Sequence, residues 1–401
     1  MMCAVSAHAI TAWYQPTPYP DKQAGGTAMP QDINIVHVWD GWFGSYYNQT
    51  LVRDDKLQIG GWGDYYTSPL RFDLAGLPTT VDSATLYLWA LPSGAANPSQ
   101  VSLFPITSVW DPTTVGWNNF PSTSSGYYWP VSTAVNTWRG YSITGWYADW
   151  KSGARSDEGI LIWPYNNDGT QRFDKFVSSR SVNDGQRPLL GLTFTPTLQL
   201  KMPLLGSHAW LVTTEVGGYD CKGSYDQYHD GTNYFSVDFS WKNVADSGAT
   251  VYTNPDPNLN RQNNGVYIPV IAAAGGKVIE ATYTSSNGYY VVIDHDSDGN
   301  PGTGFQTRYL HLQPSGPVVA TGDTVTQGQI IGYMGNTGLS EGAHLHFGVR
   351  YANNGAKTAS ELTKVVMDEW LLKSFQTECS VDANGCPTNW IRYYRSGNTA
   401  Y

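Results

Sequence analysis

Short apolar runs with the two-residue period of a β-strand recur along the first half of the chain, and turn-forming residues bound each of them. "ATLYLWAL" (84 to 91) and "EGILIWPY" (158 to 165) are rich in strand-forming residues, with Pro, Gly or Asn close by. No convincing helical period interrupts them. Charged residues make up 14% of the chain and aromatic residues another 14%, which suits short strands and turns. The sequence therefore predicts a mostly β protein whose first half is a β-sandwich.

The two halves of the 401-residue chain differ in composition. Twelve of the sixteen Trp residues precede residue 197, whereas six of the eight His residues follow it. The run "LTFTPTLQLKMPLLG" changes there from a strand pattern to a Pro-punctuated connection, so we place a boundary at Pro196. We expect an N-terminal segment over 1–29, a β-sandwich over 30–196, a second domain over 197–365 and a tail over 366–401.

Charge and hydropathy narrow the classes of partner. The net charge of -10, without a basic cluster, argues against nucleic acid and anionic membrane surfaces as partners. No apolar run approaches the ~20 residues of a membrane helix, so we expect a soluble chain, and a monomer.

The two ends of the chain carry signs of export. Ala7 and Ala9 resemble the end of a secretory signal peptide whose preceding apolar stretch is missing, with a disordered terminus as the alternative. Cys379 and Cys386 are the natural local pair for a disulfide in the tail, which leaves Cys221 and Cys3 over. The tail also contains one helix-like stretch, "MDEWLLKSF". We expect a secreted protein with a truncated signal peptide.

The first half resembles a known family of attached domains. "SPLRFDLAGLPTTVDSATLYLWA" (68 to 90), "DEGILIWPY" and "FDKFVSSRSVNDGQRPLLGLTFTP" (173 to 196) look like the DNRLRE-type β-sandwich domains of secreted bacterial enzymes, some of which bind polysaccharide. Flat aromatic rings can stack on sugars, although most such rings fill cores. The candidate platforms are Trp39, Trp42, Trp62, Trp117, Trp129 and Trp146.

A histidine pair marks the second half. In "GAHLHFGVR" (342 to 350), strand alternation places His344 and His346 on one face and Leu345 and Phe347 on the other, apolar face. An H-x-H pair by itself is as often a pair of core or surface histidines as a site. "FQTRYLHLQP" adds His311 on another alternating strand.

The segments around these histidines resemble one family in order. "IPVIAAAGGKVIEA", "GYYVVIDH", "RYLHL" and "GNTGLSEGAHLHFGV" closely resemble the zinc endopeptidases that include lysostaphin and the LytM-type peptidoglycan hydrolases, over residues 200 to 365. The resemblance implies an antiparallel-β peptidase domain and one zinc ion. It places the zinc ligands on His229, Asp238 and His346 and the catalytic histidines on His311 and His344.

This ligand set suits a catalytic zinc site. Two imidazoles and one carboxylate leave the fourth tetrahedral position open for water. Zinc lowers the pKa of that water toward ~7, and two further histidines can move a proton and stabilise charge on the attacked carbonyl. The sequence does not assign these two roles between His311 and His344.

The first zinc ligand has competitors. Compact members of the family have three residues between this histidine and the aspartate, whereas eight residues separate His229 from Asp238. His208 lies farther upstream, and Asp226 and Asp230 are also close. We favour His229 because it follows "AWLVTTEVGG", which is similar to the opening strand of the family.

A second acidic cluster raises the question of calcium. Asp294, Asp296 and Asp298 surround His295 with the spacing that begins an EF-hand loop, but Phe305 occupies the twelfth position, where a Glu is required. We interpret the segment as a long hairpin turn, with a calcium site as the lesser alternative.

The leading hypothesis is a secreted bacterial zinc endopeptidase that cleaves peptidoglycan cross-bridges or stem peptides, held on a polysaccharide surface by its N-terminal domain. One alternative is a non-catalytic protein of the same fold that binds the wall or regulates a hydrolase. Another is a polysaccharide-binding protein that acts through the N-terminal domain. The five polar residues of the second half favour the enzyme.

Overall fold

The computed structural model of the chain describes a defined set of residues, and the remaining segments lie outside it. The described residues are 8–15, 31–32, 34–40, 45–52, 55–61, 65–94, 98–111, 114–164, 172–179, 181, 184–204, 206, 209–220, 224–241, 267–296, 298, 300–352, 362–376, 379–381, 387–390 and 393–395.

The chain divides into two compact units. An N-terminal unit contains residues 13–75 and 79–193, and a C-terminal unit contains residues 194–401 together with 1–12 and 76–78. Cys3, Cys221, Cys386, His208, Trp42 and Trp62 lie outside the described residues, as do the side chains of Cys379 and Trp39. The predicted tail disulfide therefore stays a prediction.

The N-terminal half is built from short strands. Their bounds are β1 Ile10–Tyr14, β2 Gln31–Asp32, β3 Asn34–Asp40, β4 Ser45–Val52, β5 Lys56–Gly61, β6 Tyr65–Arg71, β7 Ser83–Leu91, β8 Val101–Pro105, β9 Tyr127–Tyr128, β10 Thr137–Ser142, β11 Ile160–Pro164, β12 Arg172–Val177 and β13 Leu189–Phe194, with 3-10 turns at Trp117–Asn119 and Asp184–Gln186.

Strand β6 pairs with two different groups of strands in the N-terminal unit, β3 with β5 and β2 with β11. The first residues of β6 pair with β3 and β5, and its later residues pair with β2 and β11. Strand β7 alternates fully, so Leu86 and Leu88 are buried while Trp89 faces Trp138 of β10. The alternation that the sequence shows thus becomes a buried face and a partly exposed aromatic face.

A helix also belongs to the N-terminal unit, contrary to the expectation that none interrupts the strands. Helix α1 spans Thr144–Ser152 and ends at Gly153, whose φ of 76° is the left-handed conformation that favours glycine. Its buried side chains are Trp146 and Tyr147, adjacent residues that make no helical stripe. The sequence pattern therefore gave no sign of it.

The candidate tryptophan platforms have different surroundings. Trp146 is buried. Trp117 is half-buried and stacks on Trp163, and Trp129 packs edge-on against Tyr141. Burial makes Trp146 a core residue, so its proposal as a sugar platform is wrong.

The C-terminal half adds fifteen more strands within the described residues. They are β14 Leu198–Leu200, β15 Ala209–Thr214, β16 Ser236–Trp241, β17 Pro269–Ile271, β18 Gly276–Thr284, β19 Gly288–Asp294, β20 Phe305–Leu312, β21 Thr324–Val325, β22 Ile330–Tyr333, β23 Leu345–Tyr351, β24 Val365–Met367, β25 Trp370–Leu371, β26 Cys379–Val381, β27 Pro387–Trp390 and β28 Tyr393–Arg395, with 3-10 turns at Gln227–His229, Gly231–Asn233 and Leu372–Ser374.

An eight-stranded antiparallel sheet organises the C-terminal unit. Its order is β21-β18-β19-β20-β23-β16-β15-β28. One face carries fully buried apolar side chains, including Val237 of β16, Tyr309 of β20 and both Leu345 and Phe347 of β23. Alternation turns the intervening residues of these strands to the opposite face. That second face holds the candidate site.

The predicted helix in "MDEWLLKSF" is wrong. Strands β24 and β25 form a hairpin there, and Asp368 and Glu369 between them have φ values of 48° and 69°. Two adjacent residues with positive φ make the kind of turn that fits a tight hairpin. Leu372 and Phe375 then pack into the core of the unit rather than along a helix face.

The prediction of a mostly β protein is confirmed. Sheets account for both units, with α1 as an α-helix of nine residues. Among the residues that the structure describes, none of the helices has the length and hydropathy needed to cross a bilayer.

Candidate metal centre

Strand pairing brings two of the candidate ligands face to face. In the antiparallel pair of β16 and β23, Asp238 lies directly opposite His346. Opposed residues in such a pair have their side chains on the same face and close together. His229 ends the 3-10 turn Gln227–His229 and is fully buried, so its ring reaches the same point from outside the sheet.

The donor atoms of these three residues converge. Nε2 of His229 lies 3.1 Å from Oδ2 of Asp238, and Nδ1 of His346 lies 3.0 Å from Oδ1 of the same carboxylate. One ligand atom from each residue lies within 4.8 Å of the other two. This is the spacing of three ligands around one cation.

Buried polar atoms without hydrogen bonds test whether a metal fits. Nε2 of His229 and Oδ1 of Asp238 are both buried, and despite the short distances between these residues neither atom has a partner with hydrogen-bond geometry. A buried polar atom in that state costs about 1–3 kcal/mol. A cation between them would satisfy both atoms, and a set of two nitrogens and one carboxylate oxygen suits zinc.

A backbone carbonyl orients the His229 ring. Its Nδ1 lies 3.1 Å from the carbonyl oxygen of Ser236. Because a carbonyl oxygen can only accept, Nδ1 carries the proton and donates the hydrogen bond. Nε2 is then the lone-pair nitrogen that faces Asp238. Such a second partner commonly fixes the tautomer of a metal-binding histidine.

His311 and His344 form a second pair beside the three ligands. Their ring centroids are 4.7 Å apart, and Nε2 of His344 lies 3.8 Å from Oδ1 of Asp238. Nδ1 of His311 donates to the carbonyl of Thr337 at 2.8 Å, and Nδ1 of His344 donates to the carbonyl of Gly342 at 2.8 Å. In both rings Nε2 is therefore the nitrogen that makes no bond to these carbonyls, and Nε2 of His344 faces Asp238.

The backbone at His311 is unusual for a non-glycine residue. Its φ is 63°, and its N–H donates to the carbonyl of Asn287 at 3.0 Å. Non-glycine residues in the left-handed region cost about 1–3 kcal/mol and concentrate at functional sites. The neighbouring hairpin residue Gly288 also has positive φ, at 65°, and packs on Thr337.

Burial and mutual charge set the protonation of the cluster. Burial acts to raise the pKa of Asp238, but the charges of His229 and His344 outweigh it and hold that pKa well below its usual value. Burial and the adjacent imidazoles lower the pKa of His311 to about 3, and burial lowers that of His346. For His229, burial acts to lower the pKa, and the Asp238 carboxylate reverses that effect. His311 and His346 are thus neutral at pH 7, and a neutral imidazole can bind a metal ion or accept a proton.

The structure brings together all five residues that the sequence singled out. Of the competing ligands, Asp226 lies 3.9 Å from Nε2 of His229 and accepts a hydrogen bond from the N–H of Tyr228 at 2.8 Å. Asp230 is exposed and accepts from the hydroxyl of Tyr225 at 2.8 Å. Neither belongs to the three-residue group. The eight residues before Asp238 are taken up largely by the 3-10 turn Gly231–Asn233 and the start of β16.

The second acidic cluster is also close-set. Asp294, Asp296 and Asp298 can each offer an oxygen within 4.8 Å of the others. Asp298 and Asn300 make turn hydrogen bonds, with the N–H of Asn300 donating to Oδ1 of Asp298 at 2.6 Å. The segment joins β19 to β20, so the hairpin interpretation describes its path.

Sequence reasoning missed the groups that hold the rings. They are backbone carbonyls of Ser236, Thr337 and Gly342, and the hydroxyl of Ser340 at 3.3 Å from Nδ1 of His344. A carbonyl belongs to every residue, so no residue type marks it. Only the glycine-rich run "GNTGLSEGAH" indicated that a loop passes there.

Two family models match separate parts of the chain. Residues 262–359 match Peptidase family M23, and residues 44–186 match Carbohydrate-binding module family 96. The first match includes His311, His344 and His346 and begins after Asp238. Fold and match together define a β-sheet peptidase domain, and the chain contains a domain of peptidase family M23.

Named relatives match over short segments. Peptidoglycan DD-endopeptidase ShyC of Vibrio cholerae serotype O1 is 43% identical over 79 residues, which are 20% of this chain and 16% of that protein. Glycyl-glycine endopeptidase ALE-1 of Staphylococcus capitis is 32% identical over 142 residues, 35% of this chain and 30% of that protein. The chain thus spans less than a third of the length of either relative.

A solved structure is similar to part of the chain. The catalytic domain of the antimicrobial peptidase lysostaphin from Staphylococcus simulans is 25% identical, with 37% of this chain and 87% of that chain covered and a TM-score of 0.23.

Proposed function

We propose that the chain is a secreted zinc-dependent endopeptidase that hydrolyses peptide bonds in the cross-bridges or stem peptides of peptidoglycan. The observation that carries the proposal is the convergence of His229, Asp238 and His346 with two further imidazoles on one face of the sheet. The peptidase match and the endopeptidase names of the relatives support the reaction class.

Three residues would hold the zinc ion: His229 through Nε2, His346 through Nδ1 and Asp238 through its carboxylate. A bound zinc ion lowers the pKa of a coordinated water and polarises a carbonyl oxygen. The low pKa of Asp238 keeps its carboxylate ionised. Because Nδ1 of His229 donates a hydrogen bond to the Ser236 carbonyl, Nε2 is the ring nitrogen left to bind the metal.

The second pair of histidines handles protons and charge. With Nδ1 of each ring donating to a backbone carbonyl, the Nε2 atoms of His311 and His344 are lone-pair nitrogens in the neutral state. One of them can accept the proton of the attacking water and pass it to the leaving amine, and when protonated either can donate to the developing oxyanion. Their fixed rings make this transfer possible without a large rearrangement.

The N-terminal unit would hold the enzyme on a wall polysaccharide. The match to a carbohydrate-binding module supports this role. Tyr127 and Tyr128 of the short strand β9 are 58% and 54% exposed. Tyr127 stacks on the buried Trp146 with centroids 5.1 Å apart, which fixes its ring as a platform. Tyr127 with the neighbouring Trp129 is the sugar-binding surface that we favour.

Digestion of purified muropeptides by the full chain tests the reaction. With zinc, product masses should show cleavage of a peptide bond, and a chelator should abolish it. His346→Ala should remove cleavage, whereas the matched variant His8→Ala, outside the centre, should keep it. Unchanged cleavage by His346→Ala would falsify the site assignment. Absence of cleavage and of bound zinc in the wild type would favour a non-catalytic wall protein.

Sedimentation with insoluble peptidoglycan and with acidic polysaccharides tests the tether. Tyr127→Ala should weaken binding by about tenfold, since stacking contacts of this kind contribute about 1 kcal/mol or more. Tyr128→Ala, on the opposite face of the same strand, serves as the matched control. Equal binding by wild type and Tyr127→Ala would contradict the choice of surface.

A further inference from the structure

The polar face of the large sheet continues past the metal centre. Along β23, the residues that follow His346 on this face are Gly348 and Arg350. In the neighbouring strand β20, Arg308 lies opposite Gly348, and Gln306 lies opposite Arg350. We call each set of residues that lie opposite one another across neighbouring strands a row. Arg308 and Arg350 therefore occupy the two rows directly beyond the row of the metal ligand His346.

The spacing of these rows is set by strand geometry. A step of two residues along a strand covers about 7 Å. The row of Arg308 is thus about 7 Å from the row of His346, and the row of Arg350 is about 7 Å further on. Gly348 has no side chain, so the Arg308 row carries a single long side chain between His346 and Arg350.

The guanidinium groups of Arg308 and Arg350 each donate a hydrogen bond to a neutral side-chain amide. Nη1 of Arg308 donates to the side-chain oxygen of Asn233 at 2.9 Å, and Nε of Arg350 donates to that of Gln306 at 2.7 Å. Nε of Arg308 is buried without an acceptor. A guanidinium has five N–H donors, so each arginine commits one donor to a protein acceptor. Both arginine side chains are partly exposed, so a ligand would approach their terminal Nη groups rather than the buried Nε of Arg308.

Among the described residues, one carboxylate, that of Glu280, acts electrostatically on both arginines. None of the ion pairs within 4.0 Å among the described residues includes either arginine. Glu280 lies in the same row as Arg308, since both pair with Val292, and its carboxylate accepts a hydrogen bond from the hydroxyl of Tyr290 at 2.6 Å. Burial and the charge of Arg350 lower the pKa of Arg308, whereas the charge of Glu280 acts to raise the pKa of both arginines. Their positive charge exceeds the one negative charge beside them.

We infer that Arg308 and Arg350 form a carboxylate-binding subsite beside the metal centre, which selects peptides with a free carboxylate about two to four residues from the scissile bond. Arginine forks bind carboxylates through paired hydrogen bonds, and both forks lie on the face that holds the ligands. This inference rests on the proposed endopeptidase function and refines its substrate class.

The subsite distinguishes two kinds of wall substrate. A bridge made of glycine has no side-chain carboxylate, whereas a stem peptide with free carboxyl groups does. The chain carries a net charge of -10, which repels anionic peptides at long range. A local pair of positive charges is the feature that would let such a peptide bind. We therefore place the preferred substrate among the acidic stem peptides.

A matched pair of peptides tests the inference. One is a cross-linked stem-peptide dimer with free carboxylates, and the other is the same dimer with those groups converted to carboxamides. The zinc-loaded full chain should have a kcat/KM about tenfold to hundredfold higher for the acidic dimer, the range expected for hydrogen bonds between charged groups. Arg308→Gln and Arg350→Gln should each reduce that ratio, through KM, while cleavage of the amidated dimer stays within about threefold.

Two controls separate charge from geometry. Lys277→Gln removes one positive charge from β18, opposite Asp294 in the register with β19, and should leave the ratio unchanged. Arg308→Lys keeps the charge without the fork and should retain part of the preference. Equal preference in wild type and both glutamine variants, or a wild type that favours the amidated dimer, would overturn the inference.

Calorimetric binding of both dimers separates this inference from the proposed function. If the wild type cleaves neither dimer, the endopeptidase proposal fails, and the two affinities still decide the subsite. Tighter binding of the acidic dimer that Arg308→Gln abolishes supports it. Equal affinities for the two dimers refute it. If both dimers are cleaved equally and bound equally, the endopeptidase stands and the subsite does not.

Discussion

The pH dependence of stability should carry the signature of one histidine outside the metal centre. Nδ1 of His295 donates to the carbonyl of Gly275 at 3.0 Å, and its Nε2 lies 2.9 Å from the hydroxyl of Thr307. Burial lowers the pKa of this ring to about 4, against 6.5 for an ordinary histidine. The folded protein therefore holds His295 neutral, and the perturbation we consider is His295→Gln.

The direction of the pH dependence follows from the pKa of His295 in the folded chain and in the unfolded chain. Above pH 6.5 the ring is neutral in both the folded and the unfolded chain, so its contribution is fully present. Between pH 6.5 and about 4 the unfolded chain takes up the proton first, and the free energy of unfolding falls with pH. The difference of about 2.5 in pKa corresponds to a loss of about 3 kcal/mol, complete below pH 4.

Urea unfolding of the metal-free chain at a series of pH values measures this effect. A chelator in every sample removes the pH dependence of metal binding. Between pH 7 and 4 the wild type should lose about 3 kcal/mol more than His295→Gln, because other titrating groups contribute equally to both. Parallel pH profiles for the two proteins would refute the reasoning.

Three further substitutions have defined outcomes. Gly288→Ala should reduce peptide cleavage and lower the melting temperature, because the added Cβ would meet Thr337, whose carbonyl orients His311. Unchanged activity would argue against the role of Thr337 in holding the His311 ring. Phe347→Ala should cost about 3–5 kcal/mol in unfolding free energy, since the ring is fully buried behind the histidine strand; a loss below about 1 kcal/mol would contradict the packing. Trp146→Ala should destabilise the N-terminal unit by a similar amount, as calorimetry of the full chain can show, and an unshifted transition would disprove its burial.

Strand alternation explains why the centre of the site was predictable. The pattern of "HLHF" places both histidines on one face, and Leu345 and Phe347 are fully buried on the other. The pairing of Asp238 with His346 follows from the register of β16 and β23, which no local pattern reveals. The family resemblance supplied that partner, and the physical reason appears only in the folded sheet.

The missed elements depend on tertiary contacts. Helix α1 buries two adjacent aromatic side chains and lacks a helical stripe, so periodicity could not indicate it. The tail stretch "MDEWLLKSF" has helix-forming residues, but Asp368 and Glu369 adopt positive φ in a hairpin whose apolar residues pack on the core. In that segment, packing against the core outweighs the helix propensity of the individual residues.

The division of roles among the five residues is the central claim, and zinc stoichiometry tests it most directly. Zinc would be measured by mass spectrometry on the full chain and its single variants, with muropeptide cleavage followed in the same samples. His229→Ala, Asp238→Ala and His346→Ala should lose both zinc and cleavage. His311→Ala and His344→Ala should keep about one zinc per chain and lose cleavage. Full zinc retention by the first three variants, or zinc loss confined to the last two, would contradict the account.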